Sequence, residues 1–244
     1  MELKLVKKDF ADNFLNVISK TVDIASIKAN SNGIYTVCNK PDTSIILLGK
    51  YNTPLDLTEE VTLNIGDIKK LLRVVDCIED ENVVFKINSN NLTYKSPSVQ
   101  FKYHFLDDSI VPKVSLKKEK IENLELDTFF DLDYKKFQEI LKASSFTTDT
   151  NKIYIFGQPD GCYCELGDKE KSNTDSIVLK ICDTIEGQPL SHVIPFNLDI
   201  FRVISGIRFE RARIGINLKF KVLSFFIKPT NETEFKFIIS GLVK

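Results

Sequence analysis

The strongest constraint on how this chain can fold is that its second half repeats its first. Phe14, Val17 and Ile18 recur as Phe137, Ile140 and Leu141, 123 positions further on. Asn32-Gly33 with Tyr35 recurs as Asp160-Gly161 with Tyr163 at an offset of 128. Ser44-Ile45-Ile46-Leu47 returns as Ser176-Ile177-Val178-Leu179 at 132. Leu71, Leu72 and Val75 match Ile200, Phe201 and Ile204 at 129, and Phe101, Tyr103 and Phe105 match Phe235, Phe237 and Ile239 at 134. Five matches keep one order, and the offset drifts narrowly, as loop insertions make it drift. Tandem duplication explains this, so the 244 residues divide into two similar domains.

Most of each half reads as strand. Val99, Phe101, Tyr103 and Phe105 alternate with polar residues, and so do Ile214, Ile216, Leu218, Phe220 and Val222. Period two marks a sheet with one face buried and one wet, which favours antiparallel pairing. Asn32-Gly33 and Asp160-Gly161 are hairpin signals, since both dipeptides tolerate positive φ. Four segments switch to helical spacing. One is capped by Asp9, with Phe10, Phe14, Val17 and Ile18 inward; one starts at Gly66. A third is capped by Asp133, and a short fourth follows Pro195. The fold class is therefore α+β, with residues 1–107 and 127–244 as domains and 108–126 as an extended, Lys-rich connector.

Chemistry at a reactive centre finds little here. The two histidines, His104 and His192, fall in strand context, and acid–base and metal sites usually draw on His. Cys162-x-Cys164 has the wrong spacing for a zinc pair, and five cysteines without a framework read as reduced thiols. Gly49-Lys50 lacks the upstream glycine of a phosphate-binding loop. Asp131-x-Asp133 could hold a metal, but Asp133 is better used as a helix cap. Asn91-Leu92-Thr93 and Asn231-Glu232-Thr233 match glycosylation acceptors by chance, because Met1-Glu2-Leu3-Lys4 opens no signal peptide. No apolar run approaches the roughly 20 residues of a membrane helix. The expectation is a cytoplasmic protein that is not an enzyme and has no metal, no cofactor and no membrane partner.

The duplicated halves, the four helix positions, the mid-chain connector and the terminal run ERARIGINLKFKVLSFFIKP…EFKFIISGL together resemble a known family. The chain looks like a two-domain DNA sliding clamp of the proliferating cell nuclear antigen type, and most like the clamps of large tailed bacteriophages. That resemblance implies a homotrimeric ring with sheets outside and helices lining the hole. Duplex DNA passes through without sequence readout. The ring tethers DNA polymerase and other replication proteins, and a clamp loader ATPase opens it. In a virus this would take place in the host cell cytoplasm.

A sliding ring needs cations facing DNA, because phosphate attraction holds without locking register. The polar helix faces offer Lys20, then Lys69, Lys70 and Arg73, then Lys135, Lys136 and Lys142, then Arg202 with Arg208 and Arg211 in the loop beyond. The windows 9–22, 66–78, 133–146 and 197–213 together carry +3, which leaves -4 on the rest of a chain whose net charge is -1. A ring that draws DNA inside and repels it outside has this distribution. A monomeric or dimeric factor holding DNA by charge alone calls for a more basic chain. A structural viral protein of stacked β domains has no use for four helices with cationic faces. The resemblance also implies that ring closure uses the edge strands over 99–106 and 174–181, with Val99, Phe101, Tyr103, Phe105, Ile177 and Leu179. It places a pocket for an apolar-aromatic partner peptide at Ile110, Val111, Pro112, Leu242 and Val243.

Overall fold

The computed structural model describes residues 1–114, 116–147, 150–171 and 175–242. They form two compact units, Met1–Ile121 with Pro229–Phe235, and Glu122–Lys228 with Lys236–Lys244. The first unit opens with β1 (Glu2–Val6) and a helix that starts with wide i→i+5 turns over Asp9–Leu15 and continues as α1 (Asn16–Ser19). Then come β2 (Ala25–Asn30), β3 (Gly33–Asn39), β4 (Ile45–Tyr51), β5 (Val61–Ile65) and α2 (Ile68–Asp76). The strands β6 (Asn82–Asn88), β7 (Asn91–Lys95) and β8 (Gln100–His104) follow, and the connector holds α3 (Lys118–Glu122).

The second unit repeats the scheme. It contains β9 (Thr128–Asp133), α4 (Tyr134–Ser144), β10 (Lys152–Gln158), β11 (Gly161–Leu166), β12 (Ile177–Cys182) and the two-residue β13 (Glu186–Gly187). It continues through β14 (Ile194–Asn197), α5 (Asp199–Ile204), β15 (Arg211–Asn217), β16 (Val222–Ile227) and β17 (Thr233–Ser240). Strand order confirms the duplication. The first unit has β1-β6-β7-β8 and β4-β3-β2-β5, and the second has β9-β15-β16-β17 and β12-β11-β10-β14. Each order maps onto the other, strand for strand.

The cores repeat as well. Phe14 is fully buried, with ring centroids 6.3, 6.4 and 6.1 Å from Phe10, Tyr51 and Phe235. Its counterpart Phe137 is fully buried too, 5.8, 5.2 and 6.0 Å from Phe201, Phe209 and Phe225. Burying one such ring is worth roughly 1.5–3 kcal/mol, so each helix is fixed to its sheet by its aromatic stripe. The turn glycines are equivalent in the same way. A Cβ on Gly33 (φ 137°) would meet the Tyr51 carbonyl at 2.3 Å, and one on Gly161 (φ 145°) would meet the Cys182 carbonyl at 2.2 Å. Glycine serves both the turn and the close passage of a neighbouring strand.

Several sequence expectations need correction. Asp9 is not a cap: it lies inside the wide-turned segment, where its side chain accepts from the Asn13 amide at 2.9 Å. The connector is not extended throughout, since α3 forms one turn and buries Ile121. The alternation through Leu218 and Phe220 is not one strand. Asn217 Oδ1 accepts from the Phe220 N–H at 2.7 Å, and Asp127 Oδ2 accepts from the Leu218 N–H at 2.7 Å. These side-chain bonds make a turn that overrides the period, and Phe220 is left 68% exposed. His192 lies between strands, whereas His104 ends β8.

Candidate nucleic-acid interface and connector groove

In each unit two helices pack side by side, α1 with α2 and α4 with α5. Asp67 caps α2 by accepting from the Lys70 N–H at 2.7 Å, and Asp133 caps α4 by accepting from the Lys136 N–H at 2.7 Å. The apolar stripes, Ile68, Leu71 and Val75 on α2 and Phe137, Ile140 and Ala143 on α4, face inward. This leaves Lys69, Lys70, Arg73, Lys135 and Lys142 exposed.

The cations differ in how far they are already neutralised. Lys69 pairs with Asp23 at 2.8 Å, which raises its pKa. Lys136 is half-buried and pairs with Glu139 at 2.8 Å. Arg202 donates to Asn151 at 2.6 Å and to Asp199 at 3.1 Å. Arg211 is not in a loop: it opens β15 and pairs with Asp131 at 3.3 Å. Lys70, Arg73, Lys135, Lys142 and Arg208 are exposed and have no ion pair among the described residues. Lys20 stands apart: burial lowers its pKa, and its side chain lines the connector groove.

Sequence reasoning missed Arg213. It lies half-buried between Asp131, at 3.2 Å, and Glu186, to which it makes a two-pronged bond. Glu186 is held below its usual carboxylate range by that guanidinium. Asp131, considered from sequence as a metal ligand beside Asp133, is instead shared by Arg211 and Arg213.

The connector borders a groove of about 1040 Å³ built wholly from the first unit. Val111, Pro112, Val114 and Leu116 form one wall, and Val22, Ile24, Tyr35 and Val37 contribute to the rest. Ile110 is not part of it, being 60% exposed beyond the lining. Leu242 belongs to the other unit, where its N–H donates to the Pro195 carbonyl at 2.8 Å. Val243 lies outside the described residues.

Among the described residues, the two strands singled out for ring closure are both at the edge of their strand order, β8 beside β7 alone and β12 beside β11 alone. β8 is shorter than the 99–106 alternation, and Val99 and Phe105 flank it. Phe101 stacks on Tyr94 at 5.8 Å, and Tyr103 is buried with its hydroxyl bonded to Asp67, so both side chains serve their own unit. Of the 174–181 stretch, Thr174 lies outside the described residues and β12 starts at Ile177. Ile177 and Leu179 are half-buried, whereas Val178, between them, is 50% exposed.

No protein-family model matches the chain, and no curated protein does. Solved structures do. The chain aligns with A. fulgidus PCNA, from a structure with the C-terminal region of FEN-1 bound, at TM-score 0.76 and 15% identity, over 100% of this chain and 98% of that one. It aligns with Proliferating Cellular Nuclear Antigen from Entamoeba histolytica at TM-score 0.77 and 14% identity, over 99% and 98%. At this identity the likeness establishes the fold: an α+β DNA clamp fold with two similar domains.

Proposed function

We propose that this chain is the subunit of a sliding clamp: three copies close a ring around duplex DNA and tether a DNA polymerase to its template. One observation carries this reading. The start of β17 lies against β4 within the first unit. Phe235 sits where a Cβ on Gly49 would meet its ring at 2.9 Å, and Glu234 pairs with Lys50 at 3.1 Å. By the duplication β17 corresponds to β8 and β4 to β12. That pairing is made inside the first unit, and among the described residues the two corresponding strands, β8 and β12, are left with an edge that has no partner strand. Edge strands left open are normally an association hazard; here each is complementary to the other on a second copy. This is a head-to-tail contact, and head-to-tail contacts close into rings when the rotation allows.

The exposed cations of α2 and α4, with Arg202 and Arg208, are then the DNA-facing set, and sequence-independent phosphate contact lets the ring slide. The connector groove is the seat for an apolar-aromatic peptide of a polymerase or another replication protein. Loading by an ATP-driven clamp loader and kinship with bacteriophage clamps complete the proposal. Solution mass tests the assembly. Three chain masses support the ring; a monomer at every concentration overturns it.

A further inference from the structure

We propose that Cys162 and Cys182 are a peroxide-responsive dithiol, with Cys182 oxidised first and Cys162 resolving it into a disulfide that joins β11 to the edge strand β12. The two are register partners in the β11–β12 ladder, at the point where the register shifts between Cys162 and Tyr163. Antiparallel partners have Cα atoms about 4.5–5.5 Å apart, within the roughly 4.4–6.8 Å that a disulfide spans. The two thiols are close enough to perturb each other's titration.

The environments of the two differ in the way that the chemistry requires. Cys162 is fully buried. Cys182 is half-buried at the strand end, where its Sγ donates to the Thr184 carbonyl at 3.2 Å. The Cys162 thiol lowers the Cys182 pKa to about 7, against the opposing effects of burial and the neighbouring Asp183 carboxylate. Nucleophilicity belongs to the thiolate, so Cys182 is the reactive member near neutral pH. The other two thiols of this kind, Cys38 and Cys164, are buried and pushed up to about 12.

The steps balance. The Cys182 thiolate attacks one oxygen of hydrogen peroxide and the O–O bond breaks. Cys182 becomes a sulfenic acid, and the departing hydroxide takes a proton to leave as water. Cys162 then loses its proton and attacks the sulfenic sulfur. The S–O bond breaks, a second water leaves, and the S–S bond forms. Two thiols lose two electrons in total, and one peroxide becomes two waters. The charge on Cys182 that holds the Cys162 proton in place is gone once the sulfenic acid has formed.

The test is peroxide treatment of the whole folded chain, quenching with an alkylating reagent, and intact mass with non-reducing peptide mapping. The expected product has lost two hydrogens, carries one cross-link between Cys162 and Cys182, and reverts with dithiothreitol. Cys182 should react faster than the exposed Cys77. In C162S, dimedone should trap a sulfenic acid at Cys182; in C182S the cross-link should vanish. Oxidation of Cys182 no faster than Cys77 in the unmodified chain, or a cross-link to a different cysteine, overturns the proposal. That rate comparison needs no variant, so a C162S chain that fails to fold leaves the test intact.

Discussion

The phenol of Tyr103 makes two hydrogen bonds to one residue: its oxygen accepts from the Asp67 N–H at 2.9 Å, and its O–H donates to the Asp67 carbonyl at 3.0 Å. Asp67 in turn caps α2. The edge strand β8 is thereby tied to the start of the helix that presents Lys69, Lys70 and Arg73. Tyr103→Phe keeps the ring and removes both bonds. It should cost about 1–2 kcal/mol, since each neutral bond contributes roughly 0.5–1.5 kcal/mol, read as the shift of a urea unfolding midpoint.

The same residue gives a pH signature. Burial, the largest influence, holds the Tyr103 phenol above its ordinary value. The folded state therefore keeps a proton that the unfolded state sheds. Its contribution is complete below the unfolded value of about 10 and is lost as pH rises through the folded one. Unfolding free energy measured from pH 9 upward should fall more steeply for the parent chain than for Tyr103→Phe. Tyr51, Tyr94 and Tyr163 are also raised, so the variant flattens the curve only in part.

The capping pattern separates three aspartates that look alike in sequence. Asp67→Ala and Asp133→Ala each remove an acceptor from a helix N–H and should cost about 1 kcal/mol. Asp9→Ala loses only a side-chain bond to Asn13, so its thermal midpoint should stay close to that of the parent. Equal losses at Asp9 and Asp133 would refute the distinction.

Among the cations of α2, Lys69 is already paired with Asp23, while Lys70 and Arg73 are open. Lys70→Ala with Arg73→Ala should weaken DNA association more than Lys69→Ala does. The salt slope should fall by about 0.9 for each phosphate that is no longer neutralised. Solution mass should not change. Fluorescence anisotropy across a salt series reads both the affinity and the slope.

Val178 is the most exposed apolar side chain on β12. A charge there leaves the unit's own core untouched and places a desolvated carboxylate where a second copy would pair. Val178→Asp should lower the assembly to monomers with an unchanged far-ultraviolet circular dichroism spectrum. A variant that still assembles would move the contact away from β12.

Much of the fold was legible because duplication leaves two independent records of each element. Phe14 and Phe137 mark equivalent core positions, and Gly33 and Gly161 mark equivalent turns. Failures came where short-range polar chemistry outweighs hydrophobic period, as when Asn217 and Asp127 turn the chain inside an alternating run. Asp9 failed as a cap because an acidic residue before an apolar stripe looks the same whether it caps a helix or sits within it. The site was less legible. Period two places Tyr103 in a strand but cannot reveal that its hydroxyl reaches Asp67, 36 residues away. Nor can spacing show that Cys162 meets Cys182 rather than Cys164, because strand register brings that pair together.

Encirclement is tested most directly by retention on DNA. The chain should be loaded onto a nicked circle with a clamp loader, washed in high salt, and the DNA then cut once. A topological ring stays on the circle through the wash and is lost when the cut creates free ends. Equal retention on circular and linear DNA, or loss from both as salt rises, would contradict the ring and show a protein held by charge alone.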